Sequence, residues 1–259
     1  MLRSSIEIRT ASSEVEAEPG FFEGDTVAHC GPTLKGEFAR TVNLTDMYTG
    51  WVFTTAIRNN AHKWIVGALD QAQAAIPFQV SGLDFDNGGE FINHAVIAWA
   101  GARSIYFTRS RPYKKNDQAT IESKNNHLVR CYAFYYRYDT PGELAVLNKL
   151  WPMVDDRLNY FTPTKKPIAW GKDSAGRRKR IYDTPATPLD RLLRAGVLSP
   201  AQASELQAHR DRLNPAQLAR DIQRYQDQLI GLAKDKTDRM RTALPASRPP
   251  DITHGIRVS

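Results

Sequence analysis

The sequence predicts an α/β fold: a five-stranded mixed sheet, three antiparallel strands then two parallel ones, flanked by helices. Three observations carry this. Short alternating apolar runs, rich in β-branched residues, come first, with the two-residue period of strands. The period switches to a helical one near residue 61. Strand-like and helical runs then take turns, the pattern of parallel strands joined by right-handed crossovers.

Residues 1–20 are polar and acidic, end in Glu18-Pro19-Gly20, and read as an N-terminal arm. Residues 21–30, 38–46 and 50–58 read as three strands, with Met47-Tyr48-Thr49-Gly50 short enough to close a hairpin. From 61 to 76, Trp64, Ile65, Ala68, Leu69, Ala72 and Ile76 fall on one helical face. A buried strand from Phe78 to Leu83 runs to Asp84-Phe85-Asp86, and Asn87-Gly88-Gly89 turns the chain into a helix from Glu90 to about Gly101. Ser104 to Thr108 is the fifth strand, and long helices over 118–137 and 141–159 follow, separated by Pro141-Gly142. Residues 21–160 thus form one core.

Residues 161–195 change character: Lys165, Lys166, Lys172, Arg177, Arg178, Lys179 and Arg180 surround Trp170 and Gly171, giving an extended basic segment with room for a small hairpin. Residues 196–244 hold two helices. Ser199-Pro200 and Asn214-Pro215 each place a capping residue before a proline at the first helical position. The second helix carries Leu218, Ile222, Tyr225, Leu229 and Leu232 at helical spacing, a packing or self-association face. Residues 245–259, which hold Pro, Ser and Gly, read as a disordered tail.

The composition, 41% hydrophobic and 24% charged, suits an ordinary core, and the net charge of +7 favours a polyanionic partner, nucleic acid foremost. Cys30 and Cys131 form no CxxC pair, so no structural zinc site is legible, and both read as buried reduced thiols. Without an apolar leader or an 18-residue apolar stretch, the expectation is a soluble intracellular protein, cytoplasmic and nucleoid-associated when on DNA, with no membrane partner. His62, His94, His127, His209 and His254 form no constellation with Ser or Cys, which argues against a nucleophilic triad.

Three carboxylates carry the chemistry. Asp25 sits in an apolar strand, Asp86 at a strand end, and Glu122 opens a helical run, the 35 positions from 87 to 121 lying between the last two. Two aspartates at strand ends and a glutamate on a helix can supply the oxygen donors that two hard divalent ions need. Asp84 shares a strand face with Asp86 and competes for its role; the spacing and the Asn-Gly-Gly that follows favour Asp86, leaving Asp84 to support the site electrostatically. Glu23 shares a strand face with Asp25 and is either a supporting group or a solvated carboxylate.

The text around these residues resembles the catalytic domain of insertion-sequence transposases and retroviral-type integrases, the D,D-35-E recombinases. The resemblance rests on Asp25-Thr26-Val27 with Thr45-Asp46-Met47-Tyr48-Thr49-Gly50-Trp51, on Asp86-Asn87-Gly88-Gly89-Glu90-Phe91, and on Ser110 to Asp117 leading into Ile121-Glu122-Ser123-Lys124-Asn125. It covers about residues 20–193. It implies a ribonuclease-H-like fold, Mg²⁺ (or Mn²⁺) ions, two per site, held by Asp25, Asp86 and Glu122, cleavage and strand transfer of DNA, and homo-oligomers on element ends and target. Gly24 stands where such proteins commonly carry a large apolar residue, and is expected to loosen the strand.

Arg109, Arg111, Lys114 and Lys115, read as the loop into the Glu122 helix, are candidate DNA contacts, as are Asn125 and Asn126 one turn beyond Glu122. Lys165, Lys166 and Arg177 to Arg180 form a second candidate DNA surface. Asp46, before the hairpin turn, is expected to be structural. The alternatives are a catalytically idle or truncated DNA-binding remnant, and a ribonuclease-H-like nuclease that only hydrolyses. Only 24 residues precede Asp25, where the group usually carries a helix-turn-helix domain, so a truncated, decayed or partner-dependent chain is the expectation.

Overall fold

The computed structural model describes residues 6–9, 17–86, 88–110, 125–174 and 176–243. One half of its sheet is the antiparallel meander that the alternation predicts, β2 (Phe21–Ala28), β3 (Arg40–Asp46) and β4 (Val52–Ile57). Helix α1 (His62–Ala75) leads to β5 (Gly82–Phe85) and α2 (His94–Ala102) leads to β6 (Tyr106–Ser110). β5 pairs in parallel with β2, and β6 with β5.

Five strands become six. Within the span read as an arm, β1 (Glu7–Arg9) pairs in parallel with β6, and the Tyr106 hydroxyl donates to Glu7. The sheet order is β1-β6-β5-β2-β3-β4. Three residues carry too little pattern to mark a strand; the open edge of β6 makes them one.

Alternation divides the core into two layers. Phe22, Leu44, Leu83 and Phe85 pack with Ile65, Leu69 and Trp99 of α1 and α2. Val27, Val52 and Ala56 pack on the other side with Leu147 and Trp151 of a second long helix and Leu218, Ile222 and Leu229 of the last one. Between these lie a π-turn (Asn125–Arg130) and a short α3 (Cys131–Ala133), the described part of the helix expected over 118–137. α4 (Pro141–Asp156) then starts on a Thr140/Glu143 capping box with Pro141 at its first turn. α5 (Pro188–Ala195) and α6 (Pro200–Arg212) start the same way, on Thr187/Asp190 and Ser199/Gln202. α7 (Pro215–Ala243) begins where Asn214 accepts from the amides of Ala216 and Gln217. On α7 the buried stripe is Leu218, Ile222, Leu229 and Ala233; Leu232, placed on that face by spacing, is half exposed. Cys131, expected to be buried, is exposed.

β4 is a sheet edge, and α4 with its π-turned extension (Arg157–Phe161) closes it. Asn159 accepts from the Val52 amide and donates to the Val52 carbonyl, both at 2.8 Å. Asp155 accepts from the Thr54 amide at 2.8 Å, and Asn148 repeats the two-way contact at Ala56. Outward backbone groups that would otherwise template another strand are thereby satisfied.

The basic segment is not simply extended. It holds a two-stranded hairpin, β7 (Pro167–Lys172) and β8 (Arg178–Tyr182), and then α5.

Candidate active site

Parallel pairing sets Glu23 beside Asp84 and Gly24 beside Phe85. The next residues on the two strands are Asp25 and Asp86. Both therefore stand at the point where β5 ends and the central parallel strands open toward their carboxyl ends, the usual mouth of an α/β site. Asp25 accepts from the Thr26 amide at 2.6 Å. Asp86 lies just past β5, half-buried, and accepts from the Gly88 amide at 2.8 Å, closing a tight turn.

Gly24 has a packing reason. A Cβ there would come within 2.2 Å of the Phe85 ring and 2.7 Å of Leu44. The space in front of Gly24 is filled by Phe85, which stacks on Phe91 at 3.9 Å between centroids. Where a loosened strand is expected, the Phe85 ring fills the place of the missing side chain and packs β5 against β2.

Glu23 and Asp84 are both buried, neighbours in register, and Asp84 accepts from the Thr108 hydroxyl at 2.6 Å. Of the two readings of Glu23, the solvated carboxylate is excluded, and Asp84 is buried beside it. The acidic pair lies beneath the mouth, in the sheet, on the same strand face as Asp25.

A cluster the sequence did not mark borders Asp86. Arg40 on β3 donates to Glu90 at 3.0 Å and to the Thr26 hydroxyl at 2.9 Å, and Thr26 donates to Glu90 at 3.1 Å. The position of a Gly88 Cβ would be 2.7 Å from an Asp86 oxygen and 2.8 Å from a Glu90 oxygen, so the two carboxylates face each other across this glycine. Burial raises the Asp86 carboxyl pKa above its ordinary value and the charge of Glu90 adds to the rise, while the Gly88 amide and Arg40 act against it. A desolvated carboxylate beside a second one is an environment that a bound cation relieves. The donor set is all hard oxygen, so it fits a divalent ion such as Mg²⁺ better than a soft metal.

Among the described residues no three His, Cys, Asp or Glu side chains form a metal-binding group. Glu122, Arg111, Lys114 and Lys115 lie outside the described residues, and of Asn125 and Asn126 only the backbone is described, in the π-turn. That turn is tied to the mouth. Arg130 donates to the Ala28 carbonyl at the end of β2 at 2.8 Å and lies 4.8 Å over the Tyr135 ring. Arg137, almost fully buried, donates to the carbonyls of Cys30, Thr33, Lys35 and Glu37 and so holds the β2–β3 loop. No periodicity or motif marks Arg40, Arg130 or Arg137, because their partners are distant backbone and side-chain oxygens.

The candidate DNA contacts separate. Arg109 is not in a loop: it lies on β6, 9% exposed, in register with Ile8 and Phe85. Lys166 is drawn inward, its ammonium donating to the Tyr48 carbonyl at 2.6 Å. Arg177 pairs with Asp173 across the hairpin turn. Lys165, Arg178, Lys179 and Arg180 are exposed. Asp46 is structural as expected, accepting from the amides of Gly20 and Thr49 and from the Thr49 hydroxyl. A cleft of about 810 Å³ lined by Trp51, Phe78, Asn159, Tyr160 and His209 lies along β4, away from the carboxylates.

Antiparallel β2, β3 and β4 and parallel β5, β6 and β1 make one mixed sheet, flanked by helices, an α/β fold of the kind the sequence predicts. Residues 16–115 match the family model described as integrase core domain. An uncharacterized protein of Sinorhizobium fredii, y4rM, is 36% identical over 190 residues, covering 73% of this chain and 54% of that protein. The chain thus spans about half the length of this curated relative. Among solved structures, a chain of the simian T-cell lymphotropic virus intasome in complex with a PP2A regulatory subunit matches with a TM-score of 0.47 at 14% identity, over 70% of this chain and 73% of that one. The catalytic core domain of BIV integrase matches with a TM-score of 0.45 at 16% identity, over 68% and 94%. No helix among the described residues is long and apolar enough to cross a membrane.

Proposed function

We propose that this chain is the catalytic domain of a DDE-type DNA transposase, cleaving DNA and joining the freed 3′ end to a target in a reaction dependent on Mg²⁺ or Mn²⁺. One observation carries the reading: in a chain with an integrase core match, Asp25 and Asp86 follow directly on the registered pair Gly24 and Phe85, at adjoining parallel strands. Asp25, Asp86 and Glu122 are the residues that would hold two ions. When bound, the ions supply Lewis-acid activation of water and of the 3′-hydroxyl. The chain's own contribution is positioning. The Gly88 amide aims the Asp86 carboxylate, Phe85 locks β5 against β2, and Arg40 neutralises Glu90 beside it. Asp84 and Glu23 set two further carboxyl groups beneath the mouth. DNA is the substrate and partner, and the domain acts as a homo-oligomer on two element ends.

The test is cleavage and joining of labelled DNA with Mg²⁺ or Mn²⁺. Asp25→Asn, Asp86→Asn and Glu122→Gln should each abolish both steps with the fold intact, and double variants should lose no more than single ones. Full activity in Asp86→Asn, with loss in a folded Asp84→Asn, would move the ligand role to Asp84. DNA binding without any cleavage by the unaltered chain would favour the idle remnant, and cleavage without joining the plain nuclease.

A further inference from the structure

The hairpin β7–β8 stands out from the core on a stapled base. Thr164 and Ala186 bridge across that base, Lys166 donates to the Tyr48 carbonyl, and the buried guanidinium of Arg191 binds Asp183 and the Thr164 hydroxyl. Beyond the staple the two strands form a sheet of their own, and every residue in them except Gly171 is exposed. A lone two-stranded ribbon gains little stability in water without a face to bury. This one nonetheless displays apolar side chains: Ile168 is 62% exposed, Trp170 52% and Tyr182 48%.

The register sorts the side chains. Trp170 pairs with Arg180 and Lys172 with Arg178. Registered partners project to the same face, as do residues two apart along a strand. One face therefore gathers Trp170, Lys172, Arg178 and Arg180. The guanidinium carbon of Arg178 is 4.0 Å from the Trp170 ring centroid and that of Arg180 is 5.3 Å away. The other face carries Ala169, Gly171, Lys179 and Ile181.

We propose that this face is a grip for single-stranded DNA, in which Trp170 stacks on an unpaired base while Lys172, Arg178 and Arg180 hold the flanking phosphates. The proposal rests on the DNA reading given above and deepens it by naming the form of strand. An aromatic platform set among cations is how sequence-tolerant strand grips are built, because every base has a π-face and every linkage a charge. Three cations around one tryptophan complement a polyanion; an apolar protein partner would have no use for them. In a duplex the bases are already stacked on each other, leaving Trp170 no face to meet. Nucleic acid is favoured over an anionic membrane because the same chain carries the integrase core match.

Position gives the grip a role distinct from the chemistry. The staple sits at the β3–β4 turn, beside Asp46, which pairs with Phe22, whereas Arg40 at the other end of β3 pairs with Ala28 beyond Asp25. The hairpin is thus rooted at the end of β2 opposite the acidic mouth. It should set affinity for DNA.

The experiment uses the full chain and a short fluorescein-labelled oligo(dT), with a matched duplex alongside, read by anisotropy over a salt series. Trp170→Ala should weaken oligo(dT) binding about tenfold or more, the loss expected for one stacked base, and Trp170→Phe should keep most of it. Arg178→Ala and Arg180→Ala should each shallow the slope of log K against log salt by about 0.7 on the single strand. Thermal unfolding should not move, since these side chains are exposed. Oligo(dT) binding unchanged in Trp170→Ala overturns the stacking grip. So does Trp170-dependent binding to phosphatidylserine vesicles by a chain that ignores oligo(dT). Duplex binding by the unaltered chain, with no effect of any hairpin variant, removes the hairpin and leaves the DNA reading standing. A chain that binds neither DNA form removes both.

Discussion

At the scale of single residues, buried polar groups around the acidic mouth give the sharpest predictions. Arg40 and Glu90 are each less than a fifth exposed, and Thr26 completes the triangle. Arg40→Gln should destabilise the domain by about 1–3 kcal/mol, because it strands a carboxylate next to Asp86. Adding Glu90→Gln should recover much of the loss, so urea unfolding of the double-mutant cycle should show clear coupling. Additive losses would mean the pair does not interact. Gly24→Ala should cost about 1–3 kcal/mol by overpacking against Phe85 and Leu44. His29 supplies a pH dependence. It is fully buried, its Nε2 lies 2.8 Å from the Thr41 hydroxyl, and burial and then the charge of Arg130 lower its pKa from 6.5 to about 3. The unfolded chain takes up a proton below pH 6.5 while the folded one does not until about 3, so stability falls as pH drops through that window. From pH 7 to 5 the His29 contribution should be on the order of 2 kcal/mol, and His29→Gln should flatten the profile by that amount in urea titrations. An equally steep profile in the variant would exonerate His29.

Secondary elements show where one-dimensional pattern suffices. The meander, α1, and the helices that begin at Pro141, Pro200 and Pro215 lie where alternation, period and capping place them, since those signals act over a few residues. The helix read from Glu90 starts at His94 instead, because Asn93 caps it by accepting from the Val96 amide and Glu90 is engaged by Arg40. Asn148, Asp155 and Asn159 look like solvated polar positions on an amphipathic helix, yet they close the edge of β4. Asn159→Ala should therefore cost about 1–3 kcal/mol, far more than an exposed amide, by stranding the buried Val52 amide and carbonyl. Asn159→Ala together with Asn148→Ala should also promote self-association through the opened edge, visible by light scattering. A monodisperse, fully stable double variant would show that water serves the edge equally well.

Across the whole molecule, the last helix has been absorbed into the core. Leu218, Ile222 and Leu229 of α7 are buried in the same cluster as Trp151 of α4, and Thr237 accepts from the Arg137 amide. That leaves α7 no free apolar stripe and no role as a major-groove reader on its packed side. The proposed DNA surface offers exposed cations, and α7 presents no free reading face, so the chain alone should bind DNA with little sequence preference. Competition of candidate element ends against scrambled DNA at physiological salt checks this, and a preference of about a thousandfold or more would reveal a reading element. Ending the chain after residue 214 should expose the α4 face, lower the thermal midpoint and raise dye binding, since Leu147, Trp151 and Val154 would lose their cover.

The sequence by itself determined the order of the elements, the meander and crossovers, the likeness to integrase catalytic domains, and the placing of Asp25 in a strand and of Asp86 at a strand end. These depend on local period, turn chemistry and short motifs. Only the tertiary structure decided that residues 7–9 are a sheet edge and that Gly24 makes room for Phe85. It alone showed that Arg109 and Lys166 turn inward and that Arg40, Arg130 and Arg137 hold the mouth together. Each of those depends on partners tens of residues away, and a charged or glycine residue reads the same in one dimension whether its neighbour in space is water, a carbonyl or a ring.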